Sequence, residues 1–387
     1  MADKLKLLLA GIGGYGAGYV RAAMDMTEQI EIVGIVDPFA DKSPAFDAVK
    51  NLPIYDTIDA FFAVGNTAQA IVISTPIQLH CEHFCSALEH NLHVLCEKPL
   101  CASLEDAEKM IQAANKHPEL KVLIGFQWSF SPAILEAKNQ IISGIWGKPL
   151  SMRVIVRWPR TFSYYNRNDW AGKLHDGKGA FVGDSVLSNA TAHYLHNPLF
   201  MLGSTMQLSA EPSKIEAECY KAFDIETFDT AFVKLSVPNV QGCDTKVFIA
   251  VSHAAEEKVD PNIEYTFENG RMWCSGDDSL HGELLGEPKE FGIIGSNLVG
   301  IFRKLTCLCE CVLNNAESPC TAQTALPEIK TAYNIVKNIP VTPFIKSSIE
   351  EVMTAPKDKG LKVNGLDAVL IECFDKMHLP CELNADL

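Results

Sequence analysis

Short apolar runs punctuate the first third of the chain, at Lys6–Ala10, Glu31–Val36, Ala70–Ser74, His93–Cys96 and Val122–Phe126. None alternates strictly between apolar and polar side chains, the pattern of strands covered by helices on both faces. Between them, Tyr15–Met26, Ile77–Glu89 and Leu104–Lys116 carry helical periodicity. Ser103, followed three positions later by Asp106, supplies a capping-box start for the last of these. Strand and helix repeated in this way predict a parallel, doubly wound sheet.

After Pro132 the pattern changes. One more helix, Ile134–Ser143, gives way to turns at Gly144 and Gly147. Extended segments follow at Met152–Arg157, Lys214–Ala222, Ala231–Val237, Lys246–Ser252 and Asn262–Glu268, several separated by Pro or Gly turns. Turns in place of crossover helices favour antiparallel pairing. Helical periodicity returns at Ala325–Lys337 and Leu366–Lys376. The chain reads as two domains: an α/β domain at 1–130, and an α+β domain at 131–387 with a large, mostly antiparallel open sheet. That sheet is a candidate surface for a homodimer or homotetramer.

Composition narrows the partners. The 387 residues are 47% hydrophobic and 21% charged, which excludes wholesale disorder, and 48 acids against 33 Lys and Arg give a net charge of −15. Such a surface repels phosphate backbones and anionic lipid, so neither nucleic acid nor membrane is an expected partner. The apolar stretch Leu5–Ile12 falls far short of the ~20 residues that span a bilayer. No signal peptide is legible, and the 13 cysteines form an odd set, so reduced thiols in a cytoplasm are expected. Cys307, Cys309 and Cys311 alternate, and Cys81 and Cys85 sit beside His80 and His83, but neither group has the paired spacing of a zinc site. No metal is expected.

Gly11-Ile12-Gly13-Gly14-Tyr15-Gly16 follows a strand and opens a helix, the context that makes this pattern a dinucleotide-binding turn. Gly11 permits the tight turn, Gly13 lets a pyrophosphate approach the backbone, and Gly16 lets helix and strand pack closely. The helix N-terminus then faces the phosphate charge. Asp37 ends the second strand, 21 residues after Gly16, where a carboxylate hydrogen-bonds ribose hydroxyls and repels the extra phosphate of NADP. With Pro38-Phe39-Ala40 following and no Arg or Lys at hand, NAD is the expected cofactor; the competing reading makes Asp37 a turn initiator. Lys98, in Cys96-Glu97-Lys98-Pro99, projects from a strand's carboxyl end, where open α/β sheets bind ligands.

These motifs resemble, in order and spacing, the glucose–fructose oxidoreductase / inositol dehydrogenase / MocA (Gfo/Idh/MocA) family. The resemblance rests on Gly11–Gly16, Ser74-Thr75-Pro76 with His80, Glu97-Lys98-Pro99, Gly125-Phe126-Gln127 and His193. It implies a Rossmann domain followed by an open-faced sheet domain, often in dimers or tetramers. It further implies hydride transfer between nicotinamide and a ring hydroxyl or ketone. By this similarity Lys98 is the catalytic lysine, while Ser74, Thr75, Pro76, His80, Glu97 and Gln127 lie near the cofactor. The family often reads Asp-x-Gly-x-His-x-x-Asp where this chain has Asn189-Ala190-Thr191-Ala192-His193-Tyr194-Leu195-His196. His193 is in place as the catalytic base, but Asn189 and His196 replace both acids. On one helix, Asn189 and His193 at i and i+4 would share a face, letting the amide hold the imidazole.

Arg157, Trp158, Tyr165, Arg167 and Trp170 lie in segments dense in aromatic and hydrogen-bonding side chains. With Asn189 and His196 they are candidate substrate contacts, because aromatic faces stack on sugar C–H groups while polar side chains reach hydroxyls. The competing reading is a surface loop packed by its own aromatics. The expected function is an NAD-dependent dehydrogenase of a sugar, glycoside or cyclic polyol. A dinucleotide-sensing regulatory protein and a redox-assisted glycosidase are the alternatives on the same fold.

Overall fold

The computed structural model describes residues 4–239, 242–276, 278–385 and 387. The chain forms two compact units. The first contains the chain to Ser131 together with Gly295–Leu326; the second contains Pro132–Ile294 and Pro327–Leu387. The first crossing falls where the sequence pattern changes. The second domain, expected as one continuous stretch, is interrupted: the segment from 295 to 326 returns to the first unit.

The first unit alternates β1 (Leu5–Ala10), α1 (Gly16–Asp25), β2 (Ile30–Val36), α2 (Phe46–Val49), β3 (Ile54–Tyr55), α3 (Ile58–Ala63), β4 (Ala70–Ile73), α4 (His80–Glu89), β5 (His93–Cys96), α5 (Leu104–Lys116) and β6 (Val122–Ile124). The strands lie in the order β3-β2-β1-β4-β5-β6, each pair parallel. This Rossmann arrangement accounts for the apolar runs: Leu7, Leu8, Ile71, Ile73, Val94 and Leu95 are fully buried because helices cover both faces. Ser103 caps α5 by accepting the Asp106 N–H at 3.1 Å.

The second unit opens with α6 (Pro132–Ile142), β7 (Pro149–Arg157), α7 (Phe162–Tyr165) and α8 (Ala192–Met201). Strands follow at β8 (Lys214–Lys221), β9 (Thr230–Pro238), β10 (Asp244–Ser252), β11 (Val259–Phe267), β12 (Gly270–Ser275), β13 (Ser279–Leu284) and β14 (Glu287–Ile293). Next comes α9 (Asn297–Leu313), within the first unit, and α10 (Ala322–Asn338), which carries the chain back across the boundary. The chain closes with β15 (Val341–Pro343), β16 (Ile349–Ala355), β17 (Asp358–Val363) and α11 (Leu366–Lys376). The nine-stranded sheet has the order β14-β13-β12-β11-β7-β10-β9-β8-β15 and is antiparallel except at β7–β10 and β8–β15.

Strand alternation divides this sheet into two faces. Ile155, Phe232, Phe248 and Ala250 pack with Leu366, Leu370, Cys373 and Phe374 of α11. Met152 and Tyr265 are cross-strand partners on the opposite face, where the Tyr265 hydroxyl donates to Asn197 Oδ1 of α8 at 2.5 Å. No helix among the described residues is long and apolar enough to cross a membrane.

Candidate active site

In the first unit the site grows from the β1–α1 turn. Gly11 has φ +77°, and a Cβ on it would lie 2.8 Å from the Ser74 carbonyl oxygen. A Cβ on Gly16 would lie 2.2 Å from the Gly11 carbonyl oxygen, so any side chain there would force helix and turn apart. Gly13 and Gly14, by contrast, are exposed and face open space. Two closed positions flanking an open, side-chain-free one is the cradle a pyrophosphate requires at a helix N-terminus.

Asp37 leaves the end of β2 toward this turn. Its Oδ2 accepts the Ile12 N–H and its Oδ1 the Phe39 N–H, both at 2.9 Å. The carboxylate therefore fixes the glycine turn as well as its own, as the turn-initiator reading of Asp37 expects. His80, expected near the cofactor, is 1% exposed and ties two loops together: Nδ1 faces the Pro99 carbonyl at 2.9 Å and Nε2 the Thr75 carbonyl at 3.0 Å. Burial lowers its pKa despite those two carbonyls. That geometry makes it a strut behind the site rather than a cofactor ligand. Gln127 is likewise buried, and its Oε1 accepts the Tyr15 hydroxyl at 3.4 Å.

Glu97 is the electrostatic centre of this unit. Its Oε1 accepts the Tyr19 hydroxyl at 2.6 Å and an ion-pair hydrogen bond from the Lys304 ammonium; its Oε2 accepts the Lys98 backbone N–H at 3.1 Å. Gly125 makes the space, since a Cβ there would sit 2.7 Å from Glu97 Oε1. Burial is the largest influence and would raise the Glu97 pKa, but Lys304 and the Tyr19 hydroxyl outweigh it and hold the carboxyl below its ordinary range. Lys304 is wholly buried on α9, its ammonium 5.0 Å from the ring centroids of both Tyr15 and Tyr19. Sequence reasoning missed Tyr19 and Lys304. The signal was present: Lys304 stands among Ile301, Leu305 and Leu308 on the buried stripe of α9, where a charge requires a partner.

In the second unit the expected helix through Asn189 and His193 is broken. Val186–Ala190 forms a single π turn, with the Thr191 N–H on the Val186 carbonyl at 2.9 Å, and α8 begins only at Ala192. Ser185 and Ser188 cap the turn reciprocally. The Asn189 amide donates to Asp184 Oδ1 at 2.7 Å. Asp184 is 3% exposed, accepts the Gly172 N–H at 2.7 Å and lies 3.9 Å from Arg167. The acid absent at position 189 is thus supplied five residues earlier, pointing at the asparagine. His193 sits in the first turn of α8, 9% exposed.

This arrangement changes the expected consequence of Asn189→Asp. The new carboxylate would meet Asp184 at hydrogen-bond distance, and two such groups share a proton. The folded pair then titrates above the unfolded chain, so the variant retains its stability below the ordinary carboxylate range and loses it as pH rises through the folded value. Thermal melts from pH 4.5 to 8 should show a deficit against the parent that widens with pH, reaching roughly 1–3 kcal/mol. A pH-independent deficit would contradict the Asp184 contact.

The remaining substrate candidates divide. Arg157 points to the α11 face and pairs with Asp367, whose carboxylate also accepts the Glu256 and Glu257 N–H groups at 2.8 and 3.2 Å. Both charges are consumed there, so Arg157 reads as a structural pair rather than a substrate contact. His196 is buried, stacked on Phe200 at 5.6 Å, and pushed down to about 3 by burial and then by Lys138. It is a neutral packing group, not the substrate contact expected. Tyr165 packs its ring on Phe223 and joins its hydroxyl to His253 Nδ1 at 2.9 Å. Trp158 lies edge-on to Tyr194 of α8 at 5.6 Å, and Arg167 stacks over Tyr164 at 3.9 Å and Trp170 at 5.1 Å. The aromatic segments therefore do pack on one another, as the surface-loop reading held, while presenting Trp158, Arg167 and Trp170 beside α8 and the π turn. Among the described residues no group of three or more His, Cys, Asp and Glu side chains converges as metal ligands.

Parallel sheet and glycine cradle together define an NAD-binding Rossmann domain. Residues 5–126 match the family described as "Oxidoreductase family, NAD-binding Rossmann fold". Over this domain the chain is similar to the Gfo/Idh/MocA oxidoreductases. The inositol 2-dehydrogenase of Salmonella typhimurium is 28% identical over 147 residues, covering 38% of this chain and 44% of that protein. The D-xylose 1-dehydrogenase [NADP(+)] of Haloarcula marismortui is 27% identical over 153 residues, 38% of this chain and 42% of that protein. The aligned region thus spans less than half the length of either relative. The WlbA dehydrogenase from Bordetella pertussis, solved with NADH and UDP-GlcNAcA, superposes with a TM-score of 0.68 at 20% identity, over 87% of this chain and 97% of that one. That likeness shows the two-unit fold.

Proposed function

We propose that this protein is an NAD-dependent dehydrogenase that oxidises a ring hydroxyl of a sugar, glycoside or cyclic polyol, or reduces the corresponding ketone. The observation that carries the reading is the Glu97-anchored turn. It presents Lys98 at the carboxyl end of the strands, the same end of the sheet as the glycine cradle. NAD, when bound, supplies the hydride acceptor. Lys98 donates a hydrogen bond to the substrate oxygen and stabilises the negative charge that develops there. A ring nitrogen of His193 accepts the hydroxyl proton. Trp158, Arg167 and Trp170 orient the ring.

Purified protein, NAD and a panel of inositols, aldoses and glycosides test this by absorbance at the NADH band. NADH formation with at least one of them is expected; NAD binding without turnover on any substrate would sink the dehydrogenase reading. Cofactor choice follows from Asp37. NAD should bind about tenfold or more tightly than NADP, because the added phosphate meets a carboxylate. Asp37→Ser should narrow that gap in titration calorimetry while weakening NAD itself, since the Ile12 N–H loses its acceptor. Equal binding of both cofactors to the parent protein would remove Asp37 from this role.

A further inference from the structure

Beyond the end of β7 at Arg157, two backbone hydrogen bonds keep the chain beside the end of β10. The Trp158 N–H donates to the Ser252 carbonyl at 2.9 Å and the Arg160 N–H to the His253 carbonyl at 3.0 Å. Trp158 meets Tyr194, the residue after His193, and the Arg160 guanidinium lies within reach of the Trp158 ring. The Arg160 guanidinium stacks 4.5 Å from the Tyr164 ring centroid and 5.7 Å from that of Trp158. It forms no ion pair among the described residues, and its Nε is buried without a hydrogen-bond partner.

Arg153, Arg157, Arg167 and Arg271 each lie beside a carboxylate. Asp184 accepts from Gly172 and Asn189, and Asp260 accepts the Trp158 indole N–H at 2.9 Å. Behind Arg160, His253 is 1% exposed and its Nε2 has no hydrogen-bond partner. Burial, then the neighbouring Arg160 and Arg167, lower the pKa of that imidazole, so it places no further positive charge beside Arg160. A guanidinium over the Tyr164 ring with no carboxylate paired to it among the described residues is placed to take an oxyanion.

We infer that Arg160 binds a carboxylate or phosphate carried by the substrate, so that the preferred substrate is an acidic sugar rather than a neutral one. This rests on the dehydrogenase reading for its function, but not for its test. Binding is measured by titration calorimetry in the presence of NAD, with D-glucuronate, D-galacturonate and glucose 6-phosphate as anionic probes and D-glucose and D-galactose as neutral ones. At least one anion should bind the parent protein tenfold or more tightly than its neutral counterpart. The uronates and the phosphate show which oxyanion is read. Arg160→Gln should reduce that preference to threefold or less, and Arg160→Lys should keep part of it. Circular dichroism and the melting temperature verify that both variants fold.

Equal binding of neutral and anionic probes, a preference that survives Arg160→Gln, or no binding of any anion would each overturn the inference. NADH formation from neutral substrates without anion preference removes this inference alone. An anion preference lost in Arg160→Gln, with no NADH formed from any substrate, removes the dehydrogenase reading and leaves the anion site standing.

Discussion

Lys304→Met should destabilise the protein by about 3–5 kcal/mol, because it leaves the Glu97 carboxylate buried without its cation. The double variant Glu97→Gln/Lys304→Met should recover much of that loss, since two neutral side chains of similar size remove the charge altogether. The sign of the pH dependence follows from the depressed Glu97 pKa. A carboxylate held below its unfolded value contributes stability above that value and loses it as pH falls through the folded one. In Lys304→Met the same carboxyl is pushed upward by burial alone, so the variant should approach the parent near pH 4 and diverge as pH rises. Urea melts at pH 4.5 and 7.5 measure both effects. A loss under 1 kcal/mol at pH 7.5 would mean that water reaches the pair.

Lys98→Ala should cost roughly 100-fold or more in kcat while NAD affinity changes less than about threefold, the signature of an oriented charge acting on the reacting oxygen. Alanine keeps the backbone N–H that Glu97 Oε2 accepts, so the turn itself should survive. Calorimetry with NAD and initial rates with the best substrate separate the two quantities. A near-parental rate would take Lys98 out of the mechanism; loss of NAD binding alone would make it a cofactor ligand.

The first unit was legible because its local signals agree. The β1–α1 glycines, the run of buried strands and the Ser103 cap each point to the same parallel sheet. The nine-stranded sheet was legible in kind, but β12 to β14 went unread, since Gly270–Ile293 mixes exposed charges with scattered apolar residues on a sheet edge. The return of α9 to the first unit was hidden for a different reason. Its periodicity shows that it buries a face, but periodicity does not say against what; Gly18 facing Ile301 and Gly300 facing Gln127 become meaningful only once the elements are in place. Motif spacing singled out Lys98, Glu97 and His193 as candidates. It could not show that Arg157 and Trp158, adjacent in sequence, point to opposite faces, because their strand register is set by pairing with β10 and β11. Nor could it anticipate the π turn that separates Asn189 from His193.

The interrupted first unit also orders events on the ribosome. By the time Ser131 has been made, all six strands of the dinucleotide-binding sheet exist, yet Lys304 has still to be polymerised. At ordinary elongation rates that interval lasts on the order of ten seconds or more. During it the Glu97 side chain has no ammonium to meet, and α1 lacks the helix that packs against it. The buried Glu97–Lys304 pair can therefore close only after most of the chain has been made.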